Sequence, residues 1–418
     1  MKVTPPIKVM YERCAGLDVH KKTVVVCVLI TLANGMVEKF LRTFSTMTAD
    51  LLALDEWLHS LGVEHIALES TGVYWHPIYN LLEDGRDIIL VNPQHMKAVP
   101  GRKTDAKDSE WLADLLRLGL LKASFIPPQP IRELRELVRY RKTLVAQRAQ
   151  EINHLQKVLE GTNIKLASVA TDILGKSGRA MIEALIGGEQ DAQALSELAR
   201  GRLRAKLPDL RLALEGRVKP HKQFLLKQIL AHIEFLEQSI LDVQQEIDQR
   251  LPVFEEILLL LERLPCVQRT AATAIISEIG IDMSRFPSHK HLASWAGVCP
   301  GNKQSGGKRL SGATTSGNPY LRAILSEIAC CLSRCKEPNY FTALYHRIAR
   351  RRGRQRAIIA VAHSLLVSIY YIIRDKKEYH DLGADYFDKL DTARIERHHV
   401  RRLEQLGYTV TLSPKEAA

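Results

Sequence analysis

"AGLDVHKKTVVVCVLI", Ala15 to Ile30, is the stretch that decides the fold class. It is the run richest in β-branched residues in the chain and reads as a long first strand, with Asp18 held between Leu17 and Val19. A charge buried in such a strand without a partner is costly, so the position calls for a compensating cation. Asn34-Gly35 then marks a turn into a second strand, "GMVEKFLRTFST". Beyond it, the helical pattern "TADLLALDEWLHSLG" precedes an apolar strand, "HIALES". The helix "GVYWHPIYNLLEDG" and the strand "DIILVNP" follow. Such alternation predicts an α/β sheet layered with helices. After Pro127-Pro128 the strand signals stop and nearly everything reads as helix, giving an α/β domain followed by all-α segments.

At 418 residues and 46% hydrophobic content the chain has the makings of a folded protein with two or three domains. No apolar run approaches a membrane span, and "MKVTPPIKVMYERCAG" lacks the apolar core of a secretory signal, which points to the cytoplasm. Seven cysteines without a CxxC spacing argue against a disulfide framework or a zinc site. Cys330, Cys331 and Cys335 read as buried thiols of an apolar helix. The net charge of +12 points to a polyanionic partner, and six arginines crowd into "HRIARRRGRQRA", residues 346–357. A solvated helix face is one account of that block. Without interleaved acids it repels itself, which favours phosphate contacts through Arg350, Arg351, Arg352, Arg354 and Arg356.

The helical part has its own signals. Leu226, Ile229, Ile233, Leu236, Ile240, Val243 and Ile247 form a heptad seam. Its partner is either "IRELRELVRYRKTLVAQRAQEINHLQKVLEG" in the same chain or a second copy. "LERLPCVQRTAATAIISEIG" has the cadence of a helix-hairpin-helix, but Cys266 and Gln268 stand where glycines usually make the phosphate-binding turn, so a plain packed hairpin is equally open. "WAGVCPGNKQSGGKRLSGATTSGNPYLRAIL" is a glycine-rich loop leading into a helix with Asn318 as N-cap and Pro319 at the first position.

Two motifs carry chemistry. In "KTDAKDSEWLADLL", Asp105 and Asp108 precede a helix. Capping explains one of them, but carboxylates three apart repel unless a cation lies between them. Asp18 in the first strand, Glu69 ending a later one and the Asp105/Asp108 pair follow the order of a ribonuclease-H-like sheet of the RuvC type. There the ends of the first and fourth strands and the last helix converge. Carboxylate oxygens with no supporting histidine or cysteine favour Mg²⁺ or Mn²⁺. The second motif is "NKQSGGKR". Glycines beside Ser305 let backbone approach a phosphate, and Lys308 and Arg309 add charge, although an ordinary solvated loop has the same composition.

The chain resembles the DEDD-type insertion-sequence transposases, bridge-RNA-guided serine recombinases with an N-terminal RuvC-like domain and a C-terminal transposase domain. The resemblance rests on "GLDVHK", "ALESTGVYWHPIYNLL", "VNPQHMKAVPGRKTDAKDSEWLADLL" and "LASWAGVCPGNKQSGGKRLSGATTSGNPYLRAIL". It implies that Asp18, Glu69, Asp105 and Asp108 bind Mg²⁺ and that Ser305 attacks a DNA phosphate to form a phosphoserine link. It also implies a structured guide RNA that pairs with the element ends and target DNA, and assembly as a dimer or tetramer in a prokaryotic cytoplasm, at the nucleoid when active. The expected layout is a RuvC-like domain over 1–128, a coiled-coil segment over 129–254, a transposase domain over 255–375 and a tail over 376–418 without a family counterpart. Two rival readings are a Mg²⁺-dependent endonuclease related to Holliday-junction resolvases, in which the serine is incidental, and a basic coiled-coil protein that bridges nucleic acids without catalysis. The acids argue against the latter, since a scaffold needs no aspartate in its best strand.

Overall fold

The computed structural model describes residues 9–69, 72–91, 108–301, 303–306, 308–390 and 392–413. The run that reads as one strand is two: β1 (Arg13–Val19) and β2 (Thr23–Thr31) pair antiparallel from Arg13–Ile30 to Val19–Val24. His20, Lys21 and Lys22 make the turn, closed by His20 N–H donating to Thr23 O at 2.9 Å. Asp18 therefore lies at the end of a short strand, not in the middle of a long one. The turn carries no glycine, proline or asparagine, so the sequence has no punctuation there. β3 (Val37–Ser45) extends the hairpin. After α1 (Thr48–Ser60), β4 (His65–Glu69) pairs parallel with β1, and β5 (Asp87–Val91), preceded by α2 (Trp75–Leu82), pairs parallel with β4. The order is β3-β2-β1-β4-β5. Splitting the first strand makes Glu69 the end of the fourth.

Both faces of the central strands are covered, while the edge strand β3 is largely exposed. Leu17, Val19, Val24, Val26, Val28, Ile66 and Leu68 pack with Leu51, Leu54 and Leu58 of α1 and with Ile78 and Leu82 of α2. Cys14, Cys27, Leu29, Ala67 and Val91 pack on the other side with Leu112, Ala113 and Leu116 of α3 (Asp108–Arg117). A sheet buried on both faces needs no polar alternation, which is why β2 is an uninterrupted apolar run.

The chain divides into two units, Met1–Ile126 and Pro127–Ala418. In the second, α4 (Gln129–Glu160) lies along α5 (Pro220–Arg250). The heptad seam thus has a cover within the chain. Leu226, Ile229, Ile233, Leu236 and Ile247 are buried, while Ile240 and Val243 are half-buried. Arg148 clamps Glu237 across the pair at 2.6 Å, and Leu155, Val158 and Leu159 join the core around Leu226 and Ile233. Downstream, α6 (Glu255–Glu262), α7 (Arg269–Ile279), α8 (His289–Trp295), α9 (Pro319–Leu332) and α10 (Tyr340–Arg352) gather with α11 (Arg354–Asp375). The tail adds α12 (Tyr386–Lys389) and α13 (Thr392–Gln405).

Three expectations are corrected here. Strands do not stop at Pro128: β6 (Lys303–Ser305) and β7 (Lys308–Ser311) form a ribbon within the glycine-rich loop, where short polar segments give no period-2 signal. Cys331 is exposed and Cys330 and Cys335 only half-buried, because α9 turns Leu321, Leu325, Ile328 and Leu332 inward, leaving Cys330 and Cys331 on its flank and Cys335 past its end. An apolar run of membrane-spanning length does exist: by length and composition α11 qualifies. Its Val361, Leu365, Leu366, Ile369 and Ile373 are buried among the neighbouring helices, so it is the axial core element of this part of the chain. Between α6 and α7, Cys266 adopts φ 61°, the left-handed conformation that a glycine usually takes. A packed hairpin forms without the glycines.

Candidate active site

One candidate set lies at an edge of the sheet in the first unit. Side chains of a strand alternate between faces, and Ala15, Leu17 and Val19 occupy the α1 side, so Gly16 and Asp18 face α3. In β4, Ile66 and Leu68 occupy the α1 side, so Glu69 shares the α3 face with Ala67. The parallel register ends at Leu17–Leu68, and Asp18 and Glu69 are the next residues of the two adjacent strands. The helix runs against β1. Met10 N–H donates to Arg117 O at 2.8 Å, Cys14 Sγ approaches Ala113 O at 3.5 Å, and Gly16 faces Ser109. Hence α3 begins where β1 ends, and Asp108, its first residue, belongs to the same edge as Asp18 and Glu69. Asp105 lies outside the described residues.

Gly16 allows this approach. A Cβ there would fall under 3.0 Å from Ser109 O, Ala113 N and Leu112 Cβ, two of them backbone atoms that cannot swing away. Gly16→Ala should therefore push α3 off the strand and cost about 1–3 kcal/mol. A thermal melt checks this, and a variant that melts like the parent would contradict it.

Asp18 is 15% exposed, and His20 Nε2 lies 3.2 Å from its Oδ2. His20, in the turn after β1, thus stands beside Asp18. The signal was present as Asp-Val-His, two residues apart, which places both side chains on one side of an extended chain. Cys14 and Cys27 share the α3 face, but burial pushes both thiols up to about 12, leaving them protonated and poor ligands. The donors offered are hard carboxylate oxygens, which suit a Mg²⁺-like cation. Among the described residues, no group of three or more His, Cys, Asp or Glu side chains is arranged to hold a metal ion.

A separate candidate is the ribbon of the second unit. Ser305 pairs with Lys308 across a two-residue turn, with Gly306 at φ 56° as such turns require. The excursion is fastened below the ribbon. Gly301 N–H donates to Ala313 O at 2.8 Å, Pro300 bridges Thr314, and Asn318 N–H donates to Trp295 O at 3.0 Å. Asn318 also caps α9 by accepting from Tyr320 N and Leu321 N, and its Nδ2 donates to Glu278 Oε2 at 2.6 Å.

Glu278, 1% exposed, is the hub beneath the loop. Arg139 grips both its carboxylate oxygens at 2.8 Å, and Arg135 donates to the Ser277 and Glu278 carbonyls at 2.9 and 2.6 Å. Burial pulls Arg135 down to about 10, with the charge of Glu278 acting in the opposite sense. A buried acid with three such partners ties α4, α7 and the start of α9 together. Its sequence, an ordinary Ser-Glu-Ile at a helix end, gave no hint of this. Of the other basic candidates, Lys308 is exposed at the start of β7, Arg309 follows it, Arg350, Arg351 and Arg352 close α10, and Arg354 and Arg356 open α11.

A five-stranded mixed sheet followed by a helical unit is the architecture of a DEDD transposase, a RuvC-like domain with a helical C-terminal part. The model of the IS110-type DEDD transposases, described as Transposase, matches residues 15–164, and that of the Transposase IS116/IS110/IS902 family matches residues 258–346. The chain belongs to the IS110 family of transposases. Two relatives are the pilin gene-inverting proteins of Moraxella bovis and Moraxella lacunata, each 30% identical over 122 residues, 29% of this chain. The match spans 38% of each relative's length.

Proposed function

We propose that this protein cuts and rejoins DNA strands as a transposase, with Ser305 as nucleophile and with Asp18, Glu69, Asp105 and Asp108, of the same or a neighbouring chain, as its acidic residues. The observation that carries the reading is that Asp18 and Glu69 follow the last paired residues of two adjacent parallel strands, on the face that α3 covers. Carboxylates on adjacent strand ends repel one another, and a bound cation relieves that repulsion. Mg²⁺, or Mn²⁺ in its place, would be held by these four residues and would supply charge stabilisation for phosphoryl transfer. In the covalent step Ser305 Oγ bonds to phosphorus while a bond from phosphorus to a deoxyribose oxygen breaks. The seryl proton passes to a carboxylate oxygen, and the leaving oxygen keeps the electron pair and takes up a proton. Rejoining reverses these events with the hydroxyl of another strand.

Arg350, Arg351, Arg352, Arg354 and Arg356, with Lys308 and Arg309, would hold the phosphate backbone of the element ends and target. Arg354 and Arg356 occupy the first turn of α11, the end where a cation opposes the helix dipole, which favours an external anion as their counterpart. A structured guide RNA would be read by shape and backbone, in a dimer or tetramer working in the cytoplasm at the nucleoid. The test is strand transfer between plasmids carrying an element end and a target, with and without the element's RNA and Mg²⁺. Joined product that requires both is the expected result. Cleavage without joining, independent of RNA, would favour the resolvase-like endonuclease.

A further inference from the structure

We propose that the cavity between α10 and the C-terminal α12–α13 segment is a binding site for the phosphodiester backbone of a duplex. The site rests on the reading of the chain as a nucleic-acid-binding protein and gives the tail a task. The cavity, about 520 Å³, is lined by His346, Arg347, Arg350 and Arg351 of α10 and by His398 and His399 of α13. Among the described residues, Asp388 is the one carboxylate on its wall.

Cationic side chains gather here with that single carboxylate on the wall. Arg148 pairs with Glu237, Arg179 with Glu234 and Arg204 with Glu197, whereas Arg350 and Arg351 have no ion-pair partner among the described residues. Basic residues at a helix C-terminus complement the dipole, and that alone could account for the end of α10. It does not account for two histidines brought to the same cavity from a different element. The tail is fixed there by contacts of its own. Phe387 stacks on Tyr340 at 5.3 Å, the Arg347 guanidinium lies 4.9 Å over the Phe387 ring, and Tyr340 N–H donates to Asp381 Oδ1 at 3.1 Å. Cationic and N–H-bearing groups thus crowd one concavity with little internal compensation. A phosphate oxygen suits them, because guanidinium forks and imidazole N–H groups donate to it, and the cavity volume admits a phosphate with its sugar.

The test uses the full chain carrying Asp18→Ala, so that nothing is cleaved. Fluorescence anisotropy follows binding of a short DNA duplex and of an RNA duplex of the same sequence across a salt series, with tripolyphosphate as competitor. Arg350→Ala with Arg351→Ala should weaken binding about tenfold and reduce the slope of log K against log salt by about 1 to 2. His398→Gln with His399→Gln should weaken it about threefold. Arg204→Ala, a paired arginine elsewhere, serves as reference. The duplex that loses more affinity identifies the source of the phosphate. Should neither pair of substitutions exceed the reference, or tripolyphosphate compete equally with parent and variants, the site is refuted. These readings need no chemistry, so a failure of the serine assignment would leave them intact. The exposed arginine pair keeps the test decisive if the histidine variant melts early.

Discussion

Ser305→Ala should bind DNA as the parent does and form no protein–DNA adduct. A seryl hydroxyl is a weak nucleophile at neutral pH and needs help to lose its proton. The nearest histidines in sequence, His289 and His291, sit on α8, before the loop, and each is already engaged: His289 Nδ1 with Tyr371 at 3.1 Å, His291 Nδ1 with Ser288 at 2.9 Å. Under the proposed mechanism the acidic edge of the same or a neighbouring chain supplies that help. Labelled DNA incubated with protein, RNA and Mg²⁺, then denatured, should leave label migrating with the protein only when residue 305 is Ser. A trace in Ser305→Cys fits the same chemistry, because a thiolate is also a nucleophile. Adduct or recombination by Ser305→Ala would overturn the assignment and promote the endonuclease reading.

The acids should give losses of similar size with a different signature. Asp18→Ala, Glu69→Ala or Asp108→Ala should lower strand cleavage roughly a thousandfold, the scale of a lost electrostatic contact to a phosphoryl transition state. The fold should survive, and without metal the melting temperature should hold or rise, since removing one carboxylate relieves repulsion at the edge. Calorimetric titration with Mn²⁺ gives a readout independent of turnover, and the binding heat should disappear in an Asp18→Ala, Asp108→Ala double variant. Full cleavage by an Asp105→Ala, Asp108→Ala variant would remove the metal-binding assignment.

Much of this was legible in the residues. The order of strands and helices up to β5, the boundaries of α1 and the capping of α9 by Asn318 follow from periodicity and turn chemistry. The split at His20–Lys22 was not, because three polar residues inside a β-branched run resemble the edge of one strand as much as a turn between two. Long-range partners were also hidden. That Glu278 is gripped by Arg139, 139 residues away, and that Gly16 meets the backbone of α3 depend on tertiary geometry, and a lone Glu or Gly carries no trace of it. For the acids, spacing named the residues, but only the alternation in β1 and β4 assigns Asp18 and Glu69 to the same face.

The ribbon's anchorage also has a consequence for how such a protein can change. The excursion between Trp295 and Asn318 leaves and returns at one peptide hydrogen bond, and a Cβ on Gly317 would fall under 3.0 Å from Gly297 N and Trp295 O. Its two feet are therefore neighbours. Changing the length of a loop with adjacent ends adds little closure entropy, about 0.6 kcal/mol for each doubling. Residues beyond the Gly301–Ala313 bond form a detachable cassette: they could be lengthened, exchanged or excised across a short bridge while buried Ala296 and Val298 stay packed below. A lineage could retune its reactive tip, or lose it, without rebuilding the body that carries it.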